Sequence, residues 1–309
     1  MKLPEDDSMD GVNFHALFRI QKNPFNGKYV AKFKQNVPFK NMGSTAQMLY
    51  HQSRDVLQHF LNYKVLPQCE PELLGEVSRH WFDVCLHDMV GQDEVDYTVF
   101  GFSKKRSDTD NVLVPDLYAM NNYFGALDEL DPFTWDQKLD EFFFIGNYTG
   151  DGRPKYKKRF QLCQWARDKP WCHAYLSEMH QVPPQTIFEY DPCYEQYMHT
   201  PLPRKYQKLY RHLLSLDGNT AAWDRPVWIM NSNSVLWKQD SDHVTWWSDL
   251  MRPWKEYIPF TDPDQLWERK QGEFQTVVDS AHEFVSTYLT EHGHVQRWKD
   301  VLTSVVKEW

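Results

Sequence analysis

Long apolar runs are missing from this chain of 309 residues. No window reaches the ~18 consecutive apolar residues that cross a bilayer. The opening Met1-Lys2-Leu3-Pro4-Glu5-Asp6-Asp7 also lacks the apolar stretch of a secretory leader. Neither a membrane span nor a signal peptide is therefore expected. Cysteine is scarce. The five residues Cys69, Cys85, Cys163, Cys172 and Cys193 are odd in number, scattered and free of Cys-x-x-Cys spacing. That pattern argues against a disulfide framework and for reduced thiols in a cytoplasmic compartment. No Gly-x-Gly-x-x-Gly follows the first strand signal, which disfavours a Rossmann-type oxidoreductase. A basic excess is absent as well: 34 Lys and Arg against 43 Asp and Glu leave a net charge of −9. Nucleic acid and anionic membrane surfaces are poor partners for that balance. Low-complexity segments and flexible linkers are lacking, so the whole chain is expected to fold apart from its acidic first ten residues.

What is present is core material, with 41% hydrophobic and 16% aromatic residues. The chain is long enough for two α/β domains. Asn26-Gly27 between alternating runs predicts a hairpin over residues 14–36. Ser44 or Thr45 caps a helix reaching about Leu66. Phe82 to Asp88 reads as a strand ending on a carboxylate, and Asp96–Ser103 and Asn111–Pro115 as two more β segments. A second unit opens with the apolar strand Glu141–Gly146, followed by a helix near Lys155–Arg167. Tyr206–Leu216 runs into an Asp217-Gly218 turn, and residues 168–202 read as an irregular excursion. Apolar residues at helical spacing from Phe274 to Leu289 predict a helix closed by Gly293, then a final helix through Val306. The expected domains are residues 1–135, 136–275 and a helical segment 276–309 packing across both.

Two loops stand out chemically. In Gly146-Asn147-Tyr148-Thr149-Gly150-Asp151-Gly152, three glycines between a strand and a helix let backbone N–H groups approach an anion. In Asp217-Gly218-Asn219-Thr220-Ala221-Ala222-Trp223-Asp224-Arg225, an apolar run stops at a turn and an arginine follows. Arg225 keeps its charge and offers a donor fork suited to phosphate. Asn231 and Ser234 suit either ribose or base contacts or a helix C-cap and turn. The basic run Arg153–Arg159 reads equally as a solvated helix face or an anion contact. Asp108-Thr109-Asp110 and Asp262-Pro263-Asp264 have the Asp-x-Asp spacing of a metal site but sit in turn-like stretches, and no metal is expected.

The ordered set from Leu213 to Pro259, including Leu250-Met251-Arg252-Pro253-Trp254-Lys255-Glu256-Tyr257-Ile258-Pro259, resembles glycosyltransferase family 90, the protein O-glucosyltransferases and capsule- or lipopolysaccharide-modifying sugar transferases. The resemblance implies a GT-B fold of two Rossmann-like domains. It implies inverting, metal-independent transfer of xylose or glucose from a UDP-sugar to a hydroxyl of a glycan or glycoprotein, with a slight lean to xylose. Asp88 matches the catalytic base, with Asp83 and Asp93 as rivals, and Arg225 matches the group that stabilises the departing diphosphate. Gly146, Thr149, Gly150, Arg159, Asp217, Gly218, Asn219, Ala221 and Ala222 match the donor loops, with Arg153 as a rival to Arg159. Two departures stand out: Ile145 replaces an arginine common in relatives, and Thr245 replaces a glutamate. They keep open a second expectation, a catalytically degenerate nucleotide- or glycan-binding module. A cytoplasmic enzyme of a microbe or a large DNA virus fits the unpaired cysteines.

Overall fold

A computed structural model describes residues 15–34, 44–86, 97–121, 127–150, 157–179 and 184–307. The chain divides into two units. One comprises Met1–Phe124, Asp242–Trp246 and Tyr288–Trp309, the other Gly125–Ser241 and Trp247–Thr287. The α/β class expected from the sequence is what both sheets show.

In the first unit the predicted hairpin forms between β1 (His15–Lys22) and β2 (Tyr29–Phe33). Gly27 takes the positive φ of 70° that its turn requires. Helix α1 (Ser44–Phe60) continues into a π turn over Leu61–Val65. Then come α2 (Pro71–Val77), β3 (Trp81–Cys85), β4 (Phe100–Gly101), β5 (Lys104–Lys105), β6 (Val112–Leu113) and α3 (Leu117–Asn121). The sheet order is β2-β1-β3-β4-β6. β1 is antiparallel to both neighbours, while β3, β4 and β6 are parallel.

The second unit holds β7 (Leu139–Tyr148), α4 (Lys158–Ala166), β8 (Cys172–Met179), α5 (Pro184–Phe188), α6 (Arg204–Gln207), β9 (Tyr210–Ser215), α7 (Asp224–Met230) and β10 (Val235–Gln239). The chain then places β11 (His243–Val244) against β5 of the first unit's residues. It returns through β12 (Ile258–Phe260), α8 (Gln265–Arg269) and α9 (Gln275–Tyr288), and ends in α10 (Glu291–Lys307), which belongs to the first unit. Every ladder of the second sheet is parallel, in the order β12-β10-β9-β7-β8. Its strands read as near-continuous apolar runs because both faces are covered. Phe142 to Ile145 are all buried, as are Leu213 and Leu214. Phe142, Phe144, Leu214, Trp237 and Phe260 share one core with Phe274, Val277 and Val278. Truncating a phenylalanine there to alanine costs about 3–5 kcal/mol.

Two expectations need correction. The stretch 168–202 is not irregular throughout, because β8 occupies Cys172–Met179. β8 is an edge strand whose His173, Tyr175 and Ser177 are half-buried between buried Cys172, Ala174 and Leu176, and flanking prolines disguise so short an alternation. Gly293 does not close α9. It lies in the first turn of α10, where its N–H donates to Thr290 Oγ1 at 3.4 Å and a Cβ would collide with the Tyr288 carbonyl. No helix among the described residues is long and apolar enough to cross a membrane.

Candidate functional site

β7 is the first strand of the second sheet, with β8 on one side and β9 on the other. In open α/β sheets, ligands bind outside the carboxyl ends of the strands at such a reversal of order. The β7–β9 ladder runs only to Phe143–Leu213, whereas β7 stays paired with β8 as far as Tyr148–Met179. Past Phe143 the carbonyls between β7 and β9 lose their ladder partners, and buried carbonyls need donors.

Two arginines supply them. Arg225, near the start of α7, donates from Nη1 to the Ile145 carbonyl and from Nε to the Leu214 carbonyl, both at 2.8 Å. Arg159, in the first turn of α4, donates from Nη1 to the Asn147 carbonyl at 3.0 Å. Its Nη2 and Nε reach the Leu216 and Asp217 carbonyls, each at 3.1 Å. Nη1 also donates to Thr149 Oγ1 at 2.9 Å. Sequence reasoning places these side chains near the two loops; that they also wedge the strands apart is visible only in three dimensions.

The loops meet over this wedge. Gly150 sits at φ 128°, outside the range of ordinary side chains. Its N–H donates to Asn219 Oδ1 at 3.1 Å and its carbonyl accepts from Lys157 Nζ at 2.5 Å. Lys157 also lies 5.0 Å from the Tyr148 ring. It anchors the glycine loop, a role that its place in a basic run does not reveal. A Cβ on Gly218 would stand 2.6 Å from Thr149 Oγ1 and 3.1 Å from Arg159 Nη2, so only glycine admits this approach. Asp217 Oδ1 accepts from the Ala222 N–H at 3.3 Å, folding the loop through buried Ala221.

Electrostatics sets the wedge apart. Burial pushes the Arg159 guanidinium down to about 10, opposed by Asp217 and Asp224. Burial and then the Arg159 charge push Arg225 down to about 9. Both remain cationic near neutrality. Among the described residues neither forms an ion pair with a carboxylate, and Asp224 is taken by Arg204 at 2.7 Å. Arg225 lies 4.9 Å from the Phe144 ring and 5.5 Å from that of Trp228. Its buried Nη2 has no hydrogen-bond partner among the described residues. Two adjacent, poorly hydrated cations held by carbonyl dipoles favour an anion.

The structure gathers Gly146, Thr149, Gly150, Arg159, Asp217, Gly218, Asn219, Ala221, Ala222 and Arg225 at this edge. It places Asn231 and Ser234 elsewhere. They follow α7 at the amino edge, where Asn231 Nδ2 donates to the Leu127 carbonyl at 3.1 Å and Ser234 Oγ to the Tyr210 carbonyl at 2.8 Å. Asp88, Asp93 and Arg153 lie outside the described residues. Asp83 is fully buried, bonded to His15 and Tyr97, which removes it as a rival base facing solvent. Asp108 and Asp262 use their side chains to close local turns, and Asp264 accepts from Trp165 Nε1. Among the described residues no cluster of three His, Cys, Asp or Glu could hold a metal ion.

No family model matches the sequence, and no curated protein matches it. Similar solved structures exist. A crystal structure of TarM has a TM-score of 0.40 at 7% identity, over 57% of this chain and 37% of that one. The pneumococcal O-GlcNAc transferase GtfA in complex with UDP and GlcNAc gives 0.37 at 10% identity, over 65% and 41%. The GtfA/B complex gives 0.39 at 10%, over 65% and 42%. The chain therefore spans roughly two fifths of each neighbour's length.

Proposed function

We propose that the second unit seats the diphosphate of a nucleotide sugar on Arg159 and Arg225, and that the chain is a UDP-sugar-dependent glycosyltransferase of GT-B type. The observation that carries this reading is the pair of adjacent, carboxylate-free guanidiniums at the parting of β7 and β9. A departing diphosphate gains charge as the sugar–oxygen bond breaks, and fixed cations aimed at that charge lower the barrier. The glycine approach at Gly150 and Gly218 leaves room for phosphate against backbone.

In this reading Asp88 accepts the proton of the acceptor hydroxyl. The hydroxyl attacks C1 in line, inverting an α-linked donor to a β-glycoside. The donor carries xylose or glucose, the acceptor is a glycan or glycoprotein hydroxyl, and the arginines do the work a divalent metal does elsewhere. A binding module without turnover is the second reading. It is favoured by the engagement of Nε and Nη1 of Arg225 with carbonyls and by Ile145 standing where relatives carry an arginine.

Slow hydrolysis of UDP-xylose, UDP-glucose, UDP-galactose and UDP-N-acetylglucosamine, read as UDP release with and without EDTA, separates the two. EDTA-resistant release from UDP-xylose or UDP-glucose is the expected result. Protection of the fold by UDP with no release from any donor, even with glycan acceptors supplied, would leave the binding module. Dependence on added Mn²⁺ would overturn the metal-free mechanism.

A further inference from the structure

The net charge of −9 weighs against an anionic surface only if charge is spread evenly, and it is not. Residues 15–34, which form the β1–β2 hairpin of the first unit, carry Arg19, Lys22, Lys28, Lys32 and Lys34 and no Asp or Glu. The strand register concentrates this charge further. Arg19 stands directly opposite Lys32, so two like charges share one face, an arrangement that destabilises a sheet. Arg19, Lys22, Lys28 and Lys32 are all exposed. Among the described residues none of these four forms an ion pair.

The tip of the hairpin adds an apolar group. Phe25 is 96% exposed, more than any other large apolar side chain among the described residues. Its backbone is pinned. The Gly27 N–H donates to the Asn23 carbonyl at 2.8 Å, the Asn23 N–H to the Lys28 carbonyl at 2.7 Å, and the Phe25 N–H to Asn23 Oδ1 at 2.9 Å. The hairpin thus holds a phenylalanine out in water, where it adds nothing to the core. Lys22 and Lys28 stand three positions before and after it. Lys22 Nζ lies 5.9 Å from the half-buried Tyr29 ring, and the Arg19 guanidinium lies 5.2 Å from that of half-buried Trp81.

We propose that this hairpin docks the chain on an anionic lipid bilayer, independently of the nucleotide reading. Phe25 enters the boundary between headgroups and acyl chains, while Lys22, Lys28, Arg19 and Lys32 meet the lipid phosphates. Chemistry along the hairpin follows that of the bilayer: an apolar tip, then cations with aromatic rings among them. The contact is peripheral and needs no membrane span. The acidic remainder of the chain is repelled by the same surface, which confines contact to the hairpin. A duplex nucleic acid would engage the cations and leave the Phe25 ring in water. A single strand offers bases to stack on that ring and is therefore the competing arm of the test.

The test is sedimentation of the full chain with vesicles of phosphatidylcholine alone or with about 30% phosphatidylserine, at low and physiological salt. Binding is expected to the phosphatidylserine vesicles only and should fall as salt rises. Lys22→Ala combined with Lys28→Ala should weaken it about 25-fold, or about fivefold for each charge removed. Phe25→Ser should weaken it at least about tenfold. These side chains are exposed, so unchanged thermal melts are expected. Hydrogen exchange of residues 23–28, slowed by the vesicles, locates the contact in the unmodified chain without any variant. No binding at low salt, equal binding to phosphatidylcholine alone, or full binding by Phe25→Ser would each overturn the proposal. So would release from the vesicles by oligothymidylate at equal phosphate concentration, which would assign the hairpin to single-stranded nucleic acid.

Discussion

The two edges of the parallel sheet compensate positive charge differently at Lys138 and Lys270 on one side and at Arg159 and Arg225 on the other. At the amino edge, Lys138 meets Asp131 at 2.7 Å, and Lys270 meets Asp140 at 3.1 Å. Asp140 also accepts a hydrogen bond from Nε2 of the neutral His212 at 2.8 Å. At the carboxyl edge, Arg159 and Arg225 have carbonyls and one hydroxyl but no carboxylate. A buried cation with its own counter-ion is complete and structural. A pair of half-buried cations with dipoles alone is left with net charge, which the proposed anionic ligand would neutralise. Lys208, fully buried at the amino edge, also donates to a carbonyl, that of Glu129 at 2.8 Å, with no ion pair among the described residues, so what sets the carboxyl edge apart is two such cations side by side.

Mutation can break or sharpen this contrast. Lys138→Met leaves the Asp131 carboxylate buried without its partner, and a loss of about 3–5 kcal/mol is expected in denaturant unfolding, with UDP affinity of the folded protein unchanged. Arg225→Ala should lower donor turnover by about 10²–10³-fold, or about 3–4 kcal/mol in the barrier, measured as UDP release under saturating donor. If Arg225→Ala instead lowered stability as much as Lys138→Met and left turnover intact, the two edges would be equivalent and the comparison would fail.

A pH series tests the amino edge further. Burial, only partly offset by Asp140, takes His212 from 6.5 to about 4. The native state then holds it neutral while the unfolded chain protonates it. Its contribution is present above about pH 6.5 and is lost as pH falls toward 4, an effect on the order of 2–3 kcal/mol. Thermal melts of His212→Phe should be flatter than those of the unmodified protein across that window. The smallest effect is expected for Arg159→Lys. It keeps the charge but loses the planar fork, weakening UDP by about tenfold, or about 1.4 kcal/mol, in calorimetric titration.

Several elements were legible in the residues alone. Asn26-Gly27 specified a hairpin through its turn, the run Phe142–Ile145 declared a strand buried on both faces, and the spacing from Val277 to Val285 declared a helix. The loop glycines and Arg225 also announced themselves, since glycine before a helix and a lone arginine after an apolar run are local signals. Other features were not legible. β8 alternates too briefly between prolines to stand out. Asn231 and Ser234 share the motif with Arg225, yet α7 carries them to the opposite edge. Nothing around His15 points to Asp83, 68 positions away, because strand register made that contact.

By itself, then, the sequence determined the α/β class, the core strands and the two glycine-bearing loops, all consequences of periodicity, turn chemistry and backbone freedom, which act between near neighbours. Only the folded chain brings Arg159 and Arg225 into one wedge between β7 and β9, closes Gly218 against Thr149, and gives Lys138 and Lys270 counter-ions that these arginines lack. Charge compensation depends on which strands part and which loops meet. Those distances are set by the order of strands in the sheet, where residues far apart in the chain become partners.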